Sequence, residues 1–129
     1  MKNAGIILMT LILFIITGCG PGRIAVKLDP YIGDWNMLIE DTPQGDVSSM
    51  LVILKSDDGY YTGSLNSDMG TFELNNLKII DNKLSAIFYV QDMDFDLIGN
   101  FENNSFNGYV SGMGVDFKAN GTKVLQKQL

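Results

Sequence analysis

The fold is decided by the stretch Leu84-Ser-Ala-Ile-Phe-Tyr-Val90, followed by Gln91-Asp-Met-Asp94 and then by Phe95-Asp-Leu-Ile-Gly-Asn-Phe101. On either side of the polar middle part, residues that suit an apolar interior occupy every second position. This period of two, with one apolar face, is typical of a half-buried antiparallel strand. The polar tetrapeptide between the two runs is a turn signal, so the stretch predicts a β-hairpin.

The same alternation recurs at 35–39 and at 115–119, and no interval of residues 31–124 carries a long helical period. Seven turn signals divide this region into eight short segments. They lie at 41–46, 56–59, 67–70, 81–82, 91–94, 103–104 and 112–114. The spacing predicts an all-β fold, an eight-stranded antiparallel up-and-down meander.

Two further expectations concern the shape of this meander. Pairing of the first strand with the last removes two exposed edges, so we expect a closed or nearly closed barrel, with an open β-sandwich as the alternative. The pair Asn75-Asn76 interrupts the alternation of the fourth segment, and this interruption predicts a β-bulge.

Composition excludes several classes of function. The 129 residues carry a formal charge of −6, contain no His and contain one Cys. The acidic balance argues against nucleic-acid binding, and the missing His removes the commonest general base and neutral metal ligand. We therefore expect no catalytic residues, no cofactor and no metal site. The densest acidic cluster, Asp92, Asp94 and Asp96, is interpreted as a solvated hairpin end with Phe95 and Leu97 turned inward.

The amino-terminal region has the pattern of a targeting signal. Lys2 precedes an apolar run, Ala4 to Ile16, whose thirteen residues would reach about 20 Å as a helix, too short to cross a bilayer. The run ends in Ile16-Thr-Gly-Cys19, which resembles the lipobox of bacterial lipoprotein signals.

The lipobox resemblance implies cleavage before Cys19, followed by its acylation with palmitate-type chains that hold the protein on a membrane of the cell envelope. No Asp follows Cys19, which favours the outer membrane in a Gram-negative organism. The predicted organisation has four parts. These are a signal peptide at 1–18, a lipidated amino terminus and tether at 19–30, the β-barrel domain at 31–124 and a tail at 125–129.

The barrel itself also carries a resemblance. Gly33-Asp-Trp35, at the head of the first predicted strand, resembles the Gly-x-Trp that opens lipocalin-like, or calycin-like, barrels. The resemblance implies that Trp35 plugs one end of the barrel beneath a basic residue, for which Lys118 and Lys123 are the candidates.

Two functions remain open for a non-enzymatic, lipid-anchored lipoprotein. The first is an interaction module that binds another envelope protein or enzyme through exposed aromatic residues and through methionines in the turns. The alternative is a carrier of one small apolar ligand inside the barrel. The candidate interface residues are Tyr60, Tyr61, Tyr89, Tyr109, Met69, Met93 and Met113. The candidate ligand-lining residues are Trp35, Leu51, Ile53, Phe88, Leu97 and Phe117.

Overall fold

The computed structural model describes residues 29–125, which form eight antiparallel strands closed into one barrel. The predicted signal peptide, Cys19 and the predicted tether up to residue 28 lie outside the described residues, as do residues 126–129. The strands are β1 Gly33–Thr42, β2 Gly45–Lys55, β3 Tyr61–Ser67, β4 Gly70–Ile80, β5 Lys83–Val90, β6 Met93–Glu102, β7 Ser105–Gly112 and β8 Val115–Lys123. Residues 29–125 contain no helix of the length and hydropathy needed to cross a membrane.

Every strand pairs with the next one along the chain, and β8 pairs with β1. Trp35 of β1 lies opposite Lys123 of β8, and Ile39 lies opposite Ala119. The predicted up-and-down meander and its closure are confirmed, and the open sandwich is excluded. A closed barrel leaves no strand edge free to pair with another chain.

The residue types in the turns suit the backbone conformations found there. Asp81 and Asn82, which join β4 to β5, both have positive φ, as the favoured two-residue hairpin turns require. The predicted bulge is also present, since the β4–β5 register shifts between Asn75 and Lys78 and Asn76 has a φ of 52°. The extra residue keeps Leu74 and Leu77 both buried on the inner face.

The core fills the barrel through alternation of large and small inward residues. Phe106 of β7 is fully buried, and its ring lies over Gly99 of β6. A Cβ atom at Gly99 would lie 2.2 Å from Cζ of Phe106, so only glycine leaves room for the ring there. The Phe106 ring also packs against the Phe101 ring, at 5.1 Å between ring centroids. The buried core residues are Trp35, Met37, Ile39, Leu51, Ile53, Leu65, Leu74, Leu77, Leu84, Ala86, Phe88, Phe95, Leu97, Phe101, Phe106, Val110, Phe117 and Ala119.

Candidate functional site

The two ends of the barrel differ in what covers them. The turns that follow β1, β3, β5 and β7 meet at one end, which we call the mouth. The other three turns meet at the opposite end, the base, together with residues 29–32, which we call the strap. This division follows from an up-and-down topology, in which successive turns alternate between ends.

The strap closes the base over Trp35. The indole Nε1 of this fully buried residue donates a 3.0 Å hydrogen bond to the Tyr31 carbonyl. The Tyr31 ring packs on Phe101 at 5.0 Å, and Phe101 packs on Trp35 at 4.8 Å. Nζ of Lys123 lies 5.7 Å from the centre of the indole, so of the two candidate lysines Lys123 occupies the predicted position. The base is therefore filled, and it offers no entry to a ligand.

A polar network centred on Asp29 fixes the strap to the barrel wall. The Asp29 carboxylate accepts a 2.6 Å hydrogen bond from the Tyr61 hydroxyl and a 2.9 Å bond from the Tyr31 N–H. Lys55 Nζ lies 3.5 Å from the same carboxylate. Asp29 and Pro30, which the sequence placed in the tether, thus contact the barrel directly.

The network changes the acidity of two groups. Burial, and then the hydrogen bond to Asp29, raise the pKa of Tyr61 to about 12. Burial alone would raise the pKa of Asp29. The hydrogen bonds from Tyr61 and Tyr31 and the charge of Lys55 outweigh burial, and the Asp29 pKa is lowered. Both groups therefore hold their hydrogen-bonded forms over a wide range of pH around neutrality.

The mouth opens into an apolar cavity of about 580 Å³. Its aromatic floor includes Phe88 and Phe95, whose rings stack at 5.6 Å, and Phe72, which lies 6.2 Å from Phe88. Val90 of β5 lines the wall above them. The remaining apolar lining comes from Ile39, Val47, Val110, Phe117, Pro43 and the three methionines Met69, Met93 and Met113. A pocket of this size with few polar groups suits a small apolar ligand.

The six ligand-lining candidates from the sequence separate into two groups. Phe88 and Phe117 line the cavity. The other four, Trp35, Leu51, Ile53 and Leu97, are 0% exposed and fill the barrel below it. Alternation identifies which side chains point inward but not how far each lies from the mouth, so it could not separate the groups. For the same reason the sequence did not single out Phe72 and Phe95.

The backbone at the mouth carries more conformational strain than the backbone at the base. Gln91 and Met113, both at the cavity, have φ values of 51° and 54°. In the base turns the positive-φ positions of non-glycine residues are held by Asp81, Asn82 and Asn103. Asn and Asp enter this left-handed region easily, whereas Gln and Met do so at a cost. Such strain tends to concentrate at functional sites.

The four tyrosines that the sequence singled out as interface candidates do not line the cavity. Tyr60, Tyr89 and Tyr109 are exposed, whereas Tyr61 is half-buried in the base network. The acidic residues at 92, 94 and 96 are all exposed, with Phe95 and Leu97 buried between and beside them, as predicted. Within residues 29–125, no three His, Cys, Asp or Glu residues are grouped to hold a metal ion.

Similarity to known proteins does not assign a function, so the geometry of the barrel is the basis for one. No protein-family model matches the chain, and no curated protein matches it.

Proposed function

We propose that this protein is a non-enzymatic, lipid-anchored carrier of the cell envelope, with a lipocalin-like barrel that binds one small apolar ligand at its mouth. The observation that carries the proposal is the cavity of about 580 Å³ between the mouth turns, floored by phenylalanine rings. Burial of apolar ligand surface there contributes about 25 cal/mol per Å².

The filled base supports a carrier with a preformed site. The strap, Trp35 and Phe101 form a packed plug, and the barrel walls above it are continuous β-sheet. A ligand in the cavity meets side chains that are already ordered by this core, so little conformational entropy is lost on binding. The site therefore needs no rearrangement of the barrel to accept its cargo.

The methionines at the mouth support adaptable recognition. Met69 and Met113 lie in two mouth turns, and Met93 is the first residue of β6. All three are exposed while they line the cavity. Unbranched thioether side chains adjust to ligands of different shape and pack well against aromatic rings. This arrangement favours a carrier of a class of apolar molecules over a site built for one compound.

The membrane anchor in this proposal is Cys19, through the lipobox Ile16 to Cys19. Two or three acyl chains on one residue give stable attachment, because each buried methylene contributes about 0.8 kcal/mol. Metabolic labelling with a palmitate analogue tests this part. We expect label on the wild type and none on Cys19→Ala, and equal labelling of both proteins would refute lipidation at this residue.

The binding part is tested with N-phenyl-1-naphthylamine, a neutral dye that fluoresces in apolar surroundings. Val90→Trp fills the cavity from its wall, and we expect it to weaken dye binding about tenfold through lost ligand burial. The matched control is Leu54→Trp, since Leu54 is exposed on the outer wall of β2 and the substitution adds the same indole away from the cavity. Equal dye binding by the two variants would exclude the mouth cavity as the site.

A second candidate function is the interaction module, which is favoured by one feature of the outer wall. Ile98 and Tyr109 are register partners on β6 and β7, and Tyr109 presents an exposed aromatic ring beside the half-buried isoleucine. Such a pair suits a protein interface. A photo-crosslinking amino acid at position 109 should capture one envelope protein in cells, and the same group at position 57 in a base turn should not. Absence of a specific adduct at position 109 would exclude this function for the wall.

A further inference from the structure

The rim of the mouth carries charge of one sign. We define the rim as the four segments 41–46, 67–70, 90–94 and 112–116, each a mouth turn with the strand ends beside it, which surround the cavity. These segments contain six aspartates and neither Lys nor Arg. All six carboxylates are exposed. The aspartates are Asp41, Asp46, Asp68, Asp92, Asp94 and Asp116.

Among residues 29–125, no lysine nitrogen lies within 4.0 Å of a rim carboxylate. The ion pair in this part of the chain joins Lys55 to Asp29 at the base. Lys118, on the outer wall of β8, is the first basic residue below the rim. At the base, by contrast, lysines and acidic residues are mixed, with Lys55, Lys83 and Lys123 among them. The acidic excess is therefore strongest at the mouth, where no lysine offsets it.

The cavity within this acidic ring is uncharged. Its polar lining consists of Thr42, Gln44 and Gln91, and its floor is aromatic. An ionised head group placed on that floor would lose its hydration without a charged partner, which is unfavourable. The same head group at the rim keeps its water and gains attraction from several carboxylates, while an apolar body fills the cavity.

From this juxtaposition we propose that the mouth selects cationic amphiphiles, molecules with an apolar body and a single ammonium head group. The proposal rests on the proposed carrier function and names the class of its ligand. The apolar body lies among Phe72, Phe88 and Phe95, and the ammonium group lies among the rim aspartates. Anionic amphiphiles of the same size are disfavoured, because their head groups meet like charge at the same position.

A matched series of eight-carbon ligands tests the proposal. Octylamine, 1-octanol and octanoate share one apolar chain and differ in the charge of the head group at neutral pH. Their affinities are obtained from displacement of N-phenyl-1-naphthylamine at low salt. We expect octylamine to bind most tightly and octanoate most weakly, with a difference of about tenfold between these two. In 1 M salt, where the screening length falls to about 3 Å, the preference should largely disappear.

The rim assignment is tested with Asp68→Asn/Asp92→Asn/Asp94→Asn, which removes three charges and keeps the side-chain shapes. These positions are chosen because Asp46 and Asp116 accept hydrogen bonds from Asp41 N–H and Ser111. The control is Asp57→Asn/Asp58→Asn/Asp81→Asn, which removes three exposed charges at the base. We expect the rim variant to lose most of the preference for octylamine and the base variant to keep it.

The possible outcomes separate the two proposals. If all three ligands bind equally to the wild type at low salt, the charge selection is wrong and the carrier stands. If none of them displaces the dye and the dye itself does not bind, both proposals fail. If the preference for octylamine is present but survives the rim substitutions, the rim aspartates do not select the head group. Because the wild-type salt dependence needs no variant, the proposal is testable even if a triple substitution impairs folding.

Discussion

The ammonium group of Lys123 lies 5.7 Å from the centre of the Trp35 ring and donates a 2.8 Å hydrogen bond to the Pro30 carbonyl. Lys123 is near the end of β8, Trp35 is near the start of β1, and Pro30 belongs to the strap. One side chain therefore joins the last strand, the first strand and the segment that closes the base. The contact couples closure of the barrel to closure of its base.

Substitution of Lys123 by Met should lower the free energy of unfolding by about 1–2 kcal/mol, because the cation–π contact and the hydrogen bond to Pro30 are both lost. The single tryptophan, Trp35, gives a direct readout of urea unfolding by fluorescence. Lys118→Met serves as the control, since Lys118 is exposed on the outer wall, and its effect should stay within about 0.5 kcal/mol. Equal effects of the two substitutions would contradict a role for the Trp35 contact.

Gly99→Ala should lower the free energy of unfolding by about 1–3 kcal/mol, because its Cβ would collide with the Phe106 ring and force a shift in a packed core. Phe106→Leu alone is also destabilising, since it leaves a cavity. The test is the double variant, measured by urea unfolding. We expect Gly99→Ala to be clearly less harmful in the Phe106→Leu background, and strictly additive effects would show that the ring is not what requires glycine.

Alkaline conditions should destabilise the protein through Tyr61. The pKa of this residue rises from its ordinary value of 10.0 to about 12 on folding, so the folded state binds the phenolic proton more tightly. The resulting stabilisation is fully present below the unfolded pKa and is lost as the pH rises through the folded one. Unfolding free energies measured from about pH 9 to about pH 12 should fall more steeply for the wild type than for Tyr61→Phe. Parallel curves would show that ionisation of Tyr61 does not contribute to the loss of stability at high pH.

Met113→Asn should trade binding for stability. Asn adopts the left-handed region at lower cost than Met, so we expect a gain of about 1 kcal/mol in the free energy of unfolding. Loss of the methionine from the mouth should weaken binding of N-phenyl-1-naphthylamine about fivefold. The reciprocal control is Asn103→Met at the base, which should lose about 1 kcal/mol of stability without a change in dye binding. A Met113→Asn variant that binds the dye like wild type would remove this residue from the site.

The sequence predicted the strands and their turns because the signals for them are local, whereas closure was inferred from the two edges that an open sheet would expose. Alternation in Leu84–Val90 and positive-φ residues such as Asp81 and Asn82 act over a few positions and are not overridden by tertiary contacts. The bulge at Asn75-Asn76 was visible for the same reason. The fold could therefore be derived almost entirely from period and turn chemistry.

The candidate site was predicted only in part because depth along the barrel is a non-local property. Leu97 and Phe88 alternate in the same way, yet Leu97 is packed below the cavity and Phe88 lines it. What distinguishes them is the register across several strands and the room that residues such as Gly99 leave for Phe106. The strap was missed because Asp29 forms its contacts with Tyr61 and Lys55, far away in sequence.

The course of β1 has a consequence for exchange of cargo. This strand leaves the strap at Gly33 and reaches the mouth at Thr42, so its ten residues separate the chain entry from the opening by about 30 Å. In the proposed lipoprotein, the chain that leads from Cys19 joins the barrel at the base, so the mouth lies at the end of β1 farthest from that attachment. Under this proposal we expect the mouth to stay free to exchange its apolar ligand while the acyl chains remain in the membrane.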